Sequence, residues 1–193
     1  LANTHPFMRE MWGGYWLFAH NGHLVDFFPA QGEFFHPVGT TDSERAFCHI
    51  LNRLRTRFDT RPDDETLFDA IAGLTHEIRK FGLFNFVLSD GVSLFAHAST
   101  LLHYIVRQAP FGKARLLDDD VMVDFAEVTT PDDRVAVIAT LPLTRDESWS
   151  QLAVNELVMF REGKIILNDR PRNPVYMSTE EGLEIARAAG VSV

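Results

Sequence analysis

Trp16-Leu17-Phe18-Ala19-His20-Asn21-Gly22 is the stretch from which the rest of the chain can be read. Its aromatic and aliphatic half suits a pleated, half-buried strand. It ends in Asn-Gly, the strongest short turn signal, because Gly has no Cβ to clash and Asn tolerates the left-handed region. The stretch therefore predicts a strand over about 15–19 that stops in a tight turn at Asn21-Gly22. Such a turn leaves the Asn21 side-chain amide and the Gly22 N–H beyond the strand end, where two fixed donors can hold a developing oxyanion. A plain hairpin turn has the same spelling, so the neighbouring stretches must separate the two readings.

On the N-terminal side, residues 3–14 read as a loop broken by Pro6 and Gly13-Gly14. On the other side, residues 23–28 predict a return strand or a helical turn, and 29–37 a loop. Thr41-Asp42-Ser43-Glu44 then opens a helix. Its first three residues can each cap a helix, and Thr41 with Glu44 spells a capping box. Asp42 as a cap is the bland reading of that residue. Ala46, Phe47, Ile50, Leu51 and Leu54 recur at the spacing of one buried helical face. A second cap at Arg61-Pro62-Asp63-Asp64 starts another helix with Leu67, Phe68, Ile71, Leu74 and Ile78 on one face, closed by Gly82.

From Leu83 the pattern changes to short apolar runs separated by turns. These predict strands over about 83–88, 93–98, 101–106, 122–125 and 135–139, and a hairpin of 156–160 with 164–167 around Glu162-Gly163. A short helix over 178–189 ends the chain. Two helices segregated from a mostly antiparallel sheet make an α+β layered fold in a single domain over residues 1–193.

Composition narrows the function. A net charge of −9 argues against a protein that grips a phosphate backbone. No apolar run reaches the length of a membrane span. The one cysteine, Cys48, lies within the first helix, reads as an inert buried thiol, and suits a reducing, cytoplasmic location. His20-x-x-His23 with His5 and Asp42 spells a rival metal-hydrolase site. However, His residues at i and i+3 across a turn have no fixed convergence, so no metal and no cofactor are expected.

Three polar clusters in order, Asn3-Thr4-His5-Pro6, His20-Asn21-Gly22 and Thr41-Asp42-Ser43-Glu44, resemble the class II glutamine amidotransferases, which are N-terminal nucleophile hydrolases. Phe84-Asn85, Leu88-Ser89-Asp90-Gly91, Ala109-Pro110-Phe111-Gly112 and Thr130-Pro131-Asp132-Asp133 agree with the free-standing bacterial members. The resemblance runs from Asn3 to about Glu156, and the tail over about 157–193 is less familiar.

The resemblance implies a four-layer αββα sandwich and hydrolysis of the side-chain amide of glutamine, or of another γ-glutamyl compound, through a cysteine thioester. It places Asn21 and Gly22 at the oxyanion and Asp42 at the substrate ammonium, with His5 orienting the loop beside them. An ammonia-accepting synthetase subunit is the implied partner, with no nucleic acid and no membrane. The family's N-terminal cysteine and its His-x-Arg strand have no counterpart here. The expectation is therefore a domain partial at its N-terminus, inactive alone, within a protein whose intact mass exceeds 21.9 kDa. A non-catalytic module that binds a γ-glutamyl compound or a partner is the alternative.

Overall fold

The structure, a computed structural model, describes residues 2–109, 130 and 132–190, with the backbone alone at 113–115 and 122–124. Pro110-Phe111-Gly112, Phe125 and Pro131 lie outside the described residues. The chain opens with two strands, β1 (Phe7–Met11) and β2 (Gly14–Leu24). Two helices follow, α1 (Asp42–Arg57) and α2 (Asp64–Ile78). Then come β3 (Gly82–Ser89), β4 (Leu94–His97), β5 (His103–Gln108), β6 (Lys113–Arg115), β7 (Met122–Asp124) and β8 (Arg134–Ala139). The chain closes with β9 (Ser150–Gln151), β10 (Leu157–Arg161), β11 (Lys164–Asn168) and the helix α3 (Thr179–Ala188).

Six strands form one sheet in the order β1-β2-β3-β4-β10-β11, and β8-β5-β9 form a second. Every pairing described is antiparallel. α1 and α2 cover one face of the first sheet. Their predicted apolar stripes pack on Trp16, Phe18, Phe84, Leu88 and Phe95, all at most 1% exposed. The Phe18 and Phe47 rings stack with centroids 5.3 Å apart. Burying each such ring is worth about 2–3 kcal/mol.

The other face of the first sheet packs Ala96, Val158 and Phe160 against Tyr104, Ala136 and Ile138 of the second. β10 is therefore buried on both faces, Leu157 and Met159 toward the helices and Val158 and Phe160 toward the second sheet. This is why it reads as an unbroken apolar run rather than an alternation. The layers run helix pair, sheet, sheet, as an αββα sandwich requires. α3 is anchored beside β9, where the Gln151 amide donates to the Met177 carbonyl, and Gly182 lies against Leu101.

Three local expectations are corrected. Asn21-Gly22 is not a turn, because β2 runs straight through it, pairing Asn21 with Asn85, Gly22 with Phe84 and Leu24 with Gly82. Residues 3–14 are not all loop, because β1 forms an edge strand that pairs Phe7 with Phe18 and Met11 with Gly14. The tight turn lies instead at Trp12-Gly13, both at positive φ (57° and 77°), the geometry that matches the twist of a two-residue hairpin. Thr41 does cap α1, its hydroxyl accepting the Glu44 N–H at 3.1 Å. The Glu44 carboxylate completes no capping box, because it turns to Val38, Gly39 and Arg9.

Candidate active site

β2 carries the centre of the site. Gly22 is required there by close approach and not by a turn. A Cβ at this position would meet the Leu83 carbonyl oxygen at 2.0 Å and His20 Nε2 at 2.6 Å. Consecutive backbone N–H groups of a strand point to opposite edges. The Leu24 N–H, two residues on from Gly22, leaves the β3 side and donates to Asp42 Oδ2 at 2.7 Å. Across from Gly22, Phe84 gives its N–H to Ser99 Oγ at 2.9 Å and its carbonyl accepts from His97 Nδ1 at 2.7 Å. The Gly22 N–H therefore shares the Leu24 edge of β2. β1 has already left that edge, its last partner pair being Phe7 and Phe18.

Asp42, the first residue of α1, sits against this edge. Its Oδ1 accepts the Ser43 N–H at 2.9 Å, and His23 Nδ1 lies 3.8 Å from Oδ2. Ser43 ties the helix start to β2 a second time. Its hydroxyl lies 2.9 Å from His20 Nδ1, while His20 Nε2 lies 2.9 Å from the Leu83 carbonyl. A carbonyl only accepts, so Nε2 carries the proton and Nδ1 accepts from Ser43. Burial holds the His20 pKa below its usual value, against the opposing pull of the Leu83 carbonyl and of Asp42.

The N-terminal arm packs on the same corner. Asn3 Oδ1 accepts the Thr40 N–H at 2.9 Å and its amide donates to Thr40 Oγ1 at 3.2 Å. A Cβ at Gly39 would strike Asn3 Oδ1 at 2.1 Å, so the arm and the loop before α1 fit only with glycine there. The arm brings His5 within electrostatic reach of Asp42 and His20. Burial lowers the His5 pKa and Asp42 partly restores it.

His5 and Asn21 share an open cleft of about 240 Å³ with Ala19, Val87, Ile138 and Thr140, between the two sheets. Asn21 Nδ2 lies 3.4 Å from Thr140 Oγ1 across it. Gly22 and Asp42 do not line this cleft. They are linked to it through Leu24 and through the Ser43–His20 bond. The structure thus gathers His5, Asn21, Gly22 and Asp42 at one corner of the sandwich, along one strand and one helix start.

Two residues gain roles that their spacing did not disclose. Asn85 faces Asn21 across β2 and β3 and has all its groups bonded, to the Asn21 carbonyl, Thr100 Oγ1 and the N–H groups of Ser99 and Thr100. It fixes the backbone from which the Asn21 side chain projects. Thr140 borders that side chain from the second sheet. The dipeptide Phe84-Asn85 was the one signal for the first, and nothing local marked the second.

Cys48 stands apart. It is 2% exposed in α1, and burial pushes its thiol up to about 11. A thiol so placed supplies no thiolate near neutral pH. The rival metal reading meets His20 with both ring nitrogens engaged, and no group of three metal-ligating side chains is present among the described residues. No helix among them is long and apolar enough to cross a membrane.

The sequence pattern of the family described as glutamine amidotransferases class-II matches residues 1–183. A provisionally named glutamine amidotransferase of Haemophilus influenzae is 44% identical over 166 residues, covering 86% of this chain and 56% of that protein. One from Escherichia coli K12 is 48% identical over 168 residues, covering 86% and 66%. The chain thus spans between half and two thirds of the length of these curated relatives. A crystal structure of a provisionally named glutamine amidotransferase from Pseudomonas aeruginosa matches with TM-score 0.80 at 51% identity, over 86% of this chain and 66% of that one. A class-II domain protein from Silicibacter pomeroyi, 21% identical with TM-score 0.53, covers 91% of this chain and 72% of its own, and shares the fold.

Proposed function

The chain belongs to the class II glutamine amidotransferases and has their N-terminal nucleophile hydrolase type of fold, and from that premise we propose that it holds the oxyanion and ammonium contacts of an amidohydrolase site. The substrate is glutamine or another γ-glutamyl amide. A cysteine thiolate attacks the amide carbon, the carbonyl oxygen becomes an oxyanion, ammonia or an amine leaves with a proton, and water cleaves the thioester to glutamate. Asn21 Nδ2 and the Gly22 N–H hold the oxyanion, Asp42 holds the α-ammonium, and His5 orients the arm beside them.

The attacking thiol in this proposal comes from residues outside these 193, because the single cysteine is Cys48, buried in α1. The 193-residue domain then binds substrate and turns none over by itself. Ammonia is released or passed to a synthetase-type partner. A cytoplasmic location fits a chain with one buried thiol.

The observation that carries this reading is the shared edge of β2: the Leu24 N–H meets Asp42 Oδ2 at 2.7 Å, and the Gly22 N–H points the same way two residues earlier. One donor and one carboxylate on the same strand edge support a site that takes both ends of a glutamyl group. The test is ammonia release from glutamine by the full-length gene product, with and without 6-diazo-5-oxo-L-norleucine, and peptide mapping of the adduct. An adduct on a cysteine outside this chain, with loss of activity, supports it. No activity and no adduct with glutamine and γ-glutamyl amides would leave a γ-glutamyl-binding module instead.

A further inference from the structure

A second cavity lies on the far side of α1 from the sheet. It has a volume of about 180 Å³, opens to solvent, and is lined by the loop 28–37 and by Arg45, Cys48, His49 and Asn52 of α1. These four recur at i, i+3, i+4 and i+7, so they form one stripe along the helix. The loop side supplies Phe28, Pro29, Phe35 and Pro37. The walls are fixed. Asn52 Oδ1 accepts the N–H groups of Phe34 and Phe35 at 2.9 and 3.1 Å, and its amide donates to the carbonyls of Phe35 and Cys48. Gly32 lies so close to Asn52 that a Cβ would fall 2.0 Å from its Cγ. This space is therefore preformed and does not depend on a loop closing.

One charge faces this apolar space. The Arg45 guanidinium is held by its Nη1 bond to the Thr40 carbonyl at 2.8 Å and by the Phe28 ring, 5.0 Å from its centre. Among the described residues no carboxylate pairs with it. Its second terminal nitrogen carries no bond there, and its Nε is buried without a partner. A guanidinium positioned at an apolar cavity and lacking a counter-charge favours an anion over a neutral guest. The space has room for one ring or a branched chain beside the guanidinium.

We propose that this cavity binds a small monocarboxylate with a compact apolar body, the carboxylate on Arg45 and the body between Phe28, Phe35 and Pro37. The site is distinct from the corner built by Asn21 and Asp42, and it does not depend on the amidohydrolase reading. Arg45 also donates to the Thr40 carbonyl, two residues before Asp42, so the guanidinium that would hold the carboxylate is tied to the start of α1.

The test is nuclear magnetic resonance titration of the isotope-labelled chain with sodium benzoate, benzyl alcohol and sodium acetate. Saturable benzoate shifts at Gly32, Phe35, Cys48 and His49 are expected, with benzyl alcohol at least ~10-fold weaker for want of the charge-assisted contact and acetate at least ~10-fold weaker for want of the buried ring. Arg45→Gln should weaken benzoate at least ~10-fold, to the level of the alcohol. Cys48→Leu, which extends a good helix former into the cavity, should abolish the shifts with the helix retained. The proposal is overturned if benzoate gives no saturable shifts, if they centre on Asn21 and Thr140, or if the alcohol binds as tightly as benzoate.

Discussion

Asp42 accepts the backbone N–H of Leu24 at 2.7 Å, which welds the first turn of α1 to the edge of β2 just past Gly22. The contact makes the helix start and the strand one rigid unit. It uses one carboxylate oxygen, while the other takes the Ser43 N–H. Asp42→Asn keeps an oxygen for one of these bonds but removes the charge. In the full-length protein this substitution should raise the KM for glutamine by roughly 10- to 100-fold, the worth of a charged hydrogen bond, with kcat far less affected. An unchanged KM would move the ammonium contact elsewhere.

Two asparagines opposite each other on β2 and β3 should behave in opposite ways. Asn21 is exposed, and its one long bond is to Thr140. Asn21→Ala should change stability by no more than ~0.5 kcal/mol, yet lower turnover about 10²- to 10³-fold if it is an oxyanion donor. Asn85 is buried with every polar group bonded, so Asn85→Ala leaves several buried groups without partners and should cost ~3 kcal/mol or more. Urea denaturation and steady-state rates on both variants separate the two roles.

The helices were legible because their evidence is local and repeated. Five apolar positions on each, a cap at Thr41 and another at Asp63 all agree with what forms. Asn21-Gly22 was not, since its turn propensity is outweighed by a ladder with Phe84 and Asn85, residues more than sixty positions away. The true turn at Trp12-Gly13 was hidden because tryptophan is not a turn former, and the edge strand before it vanished with the turn. Of the site, the three motifs were visible as spellings. Their meeting depends on the register of β2 with β3 and on the seating of the arm against Thr40, and neither is written in any one stretch. The Phe84-Asn85 spelling marked Asn85 but not its role, because its partners Ser99 and Thr100 arrive on the return from β4.

His97 predicts how stability responds to acid. It is 1% exposed, Nδ1 donates to the Phe84 carbonyl, Nε2 is buried without a partner, and burial pushes its pKa down to about 4. In the unfolded chain the same group titrates near ~6.5. Between these values the unfolded state binds a proton that the native state refuses, so stability falls as the pH drops. The slope is about 1.4 kcal/mol per pH unit, or ~2 kcal/mol between pH 6.5 and 5. His20 and His49, both also lowered by burial, act in the same direction. His97→Leu should lower stability at pH 7, since it orphans the Phe84 carbonyl, and should flatten this slope. Urea midpoints at pH 7, 6 and 5 that run parallel to wild type would refute the assignment.

Cys48 should be chemically silent in the native protein. At 2% exposure and with a thiol pushed up to about 11, it should react with iodoacetamide at pH 8 only through opening of the fold. The rate should rise by orders of magnitude in urea. Fast alkylation of the native chain would contradict both its burial and its exclusion as the nucleophile. In the full-length protein, Cys48→Ala should leave glutaminase activity within about 3-fold of wild type, a loss well below that of removing an attacking group.

Glu44 shows that the four residues Thr41 to Glu44 do separate jobs. Its side chain is 2% exposed and accepts from the N–H groups of Val38 and Gly39 and from Arg9 of β1. Burial alone would raise its pKa, but these N–H groups and the Arg9 guanidinium outweigh it and hold it below the usual carboxylate range. The ion pair is therefore a clamp on the loop before α1. Glu44→Gln leaves Arg9 without its counter-charge and one buried N–H poorly matched, a loss of ~3 kcal/mol by the rule for broken buried pairs. Because its folded pKa is depressed, the stability it adds is present above its unfolded pKa and is lost as the pH falls through the folded one. Denaturation of Glu44→Gln and Asp42→Asn side by side decides the division: the first should lose ~3 kcal/mol, and the second only about 1 kcal/mol, for the one backbone N–H it leaves unpaired, with the larger effect on substrate affinity. A reversed pattern would make Asp42 the scaffold and Glu44 the contact.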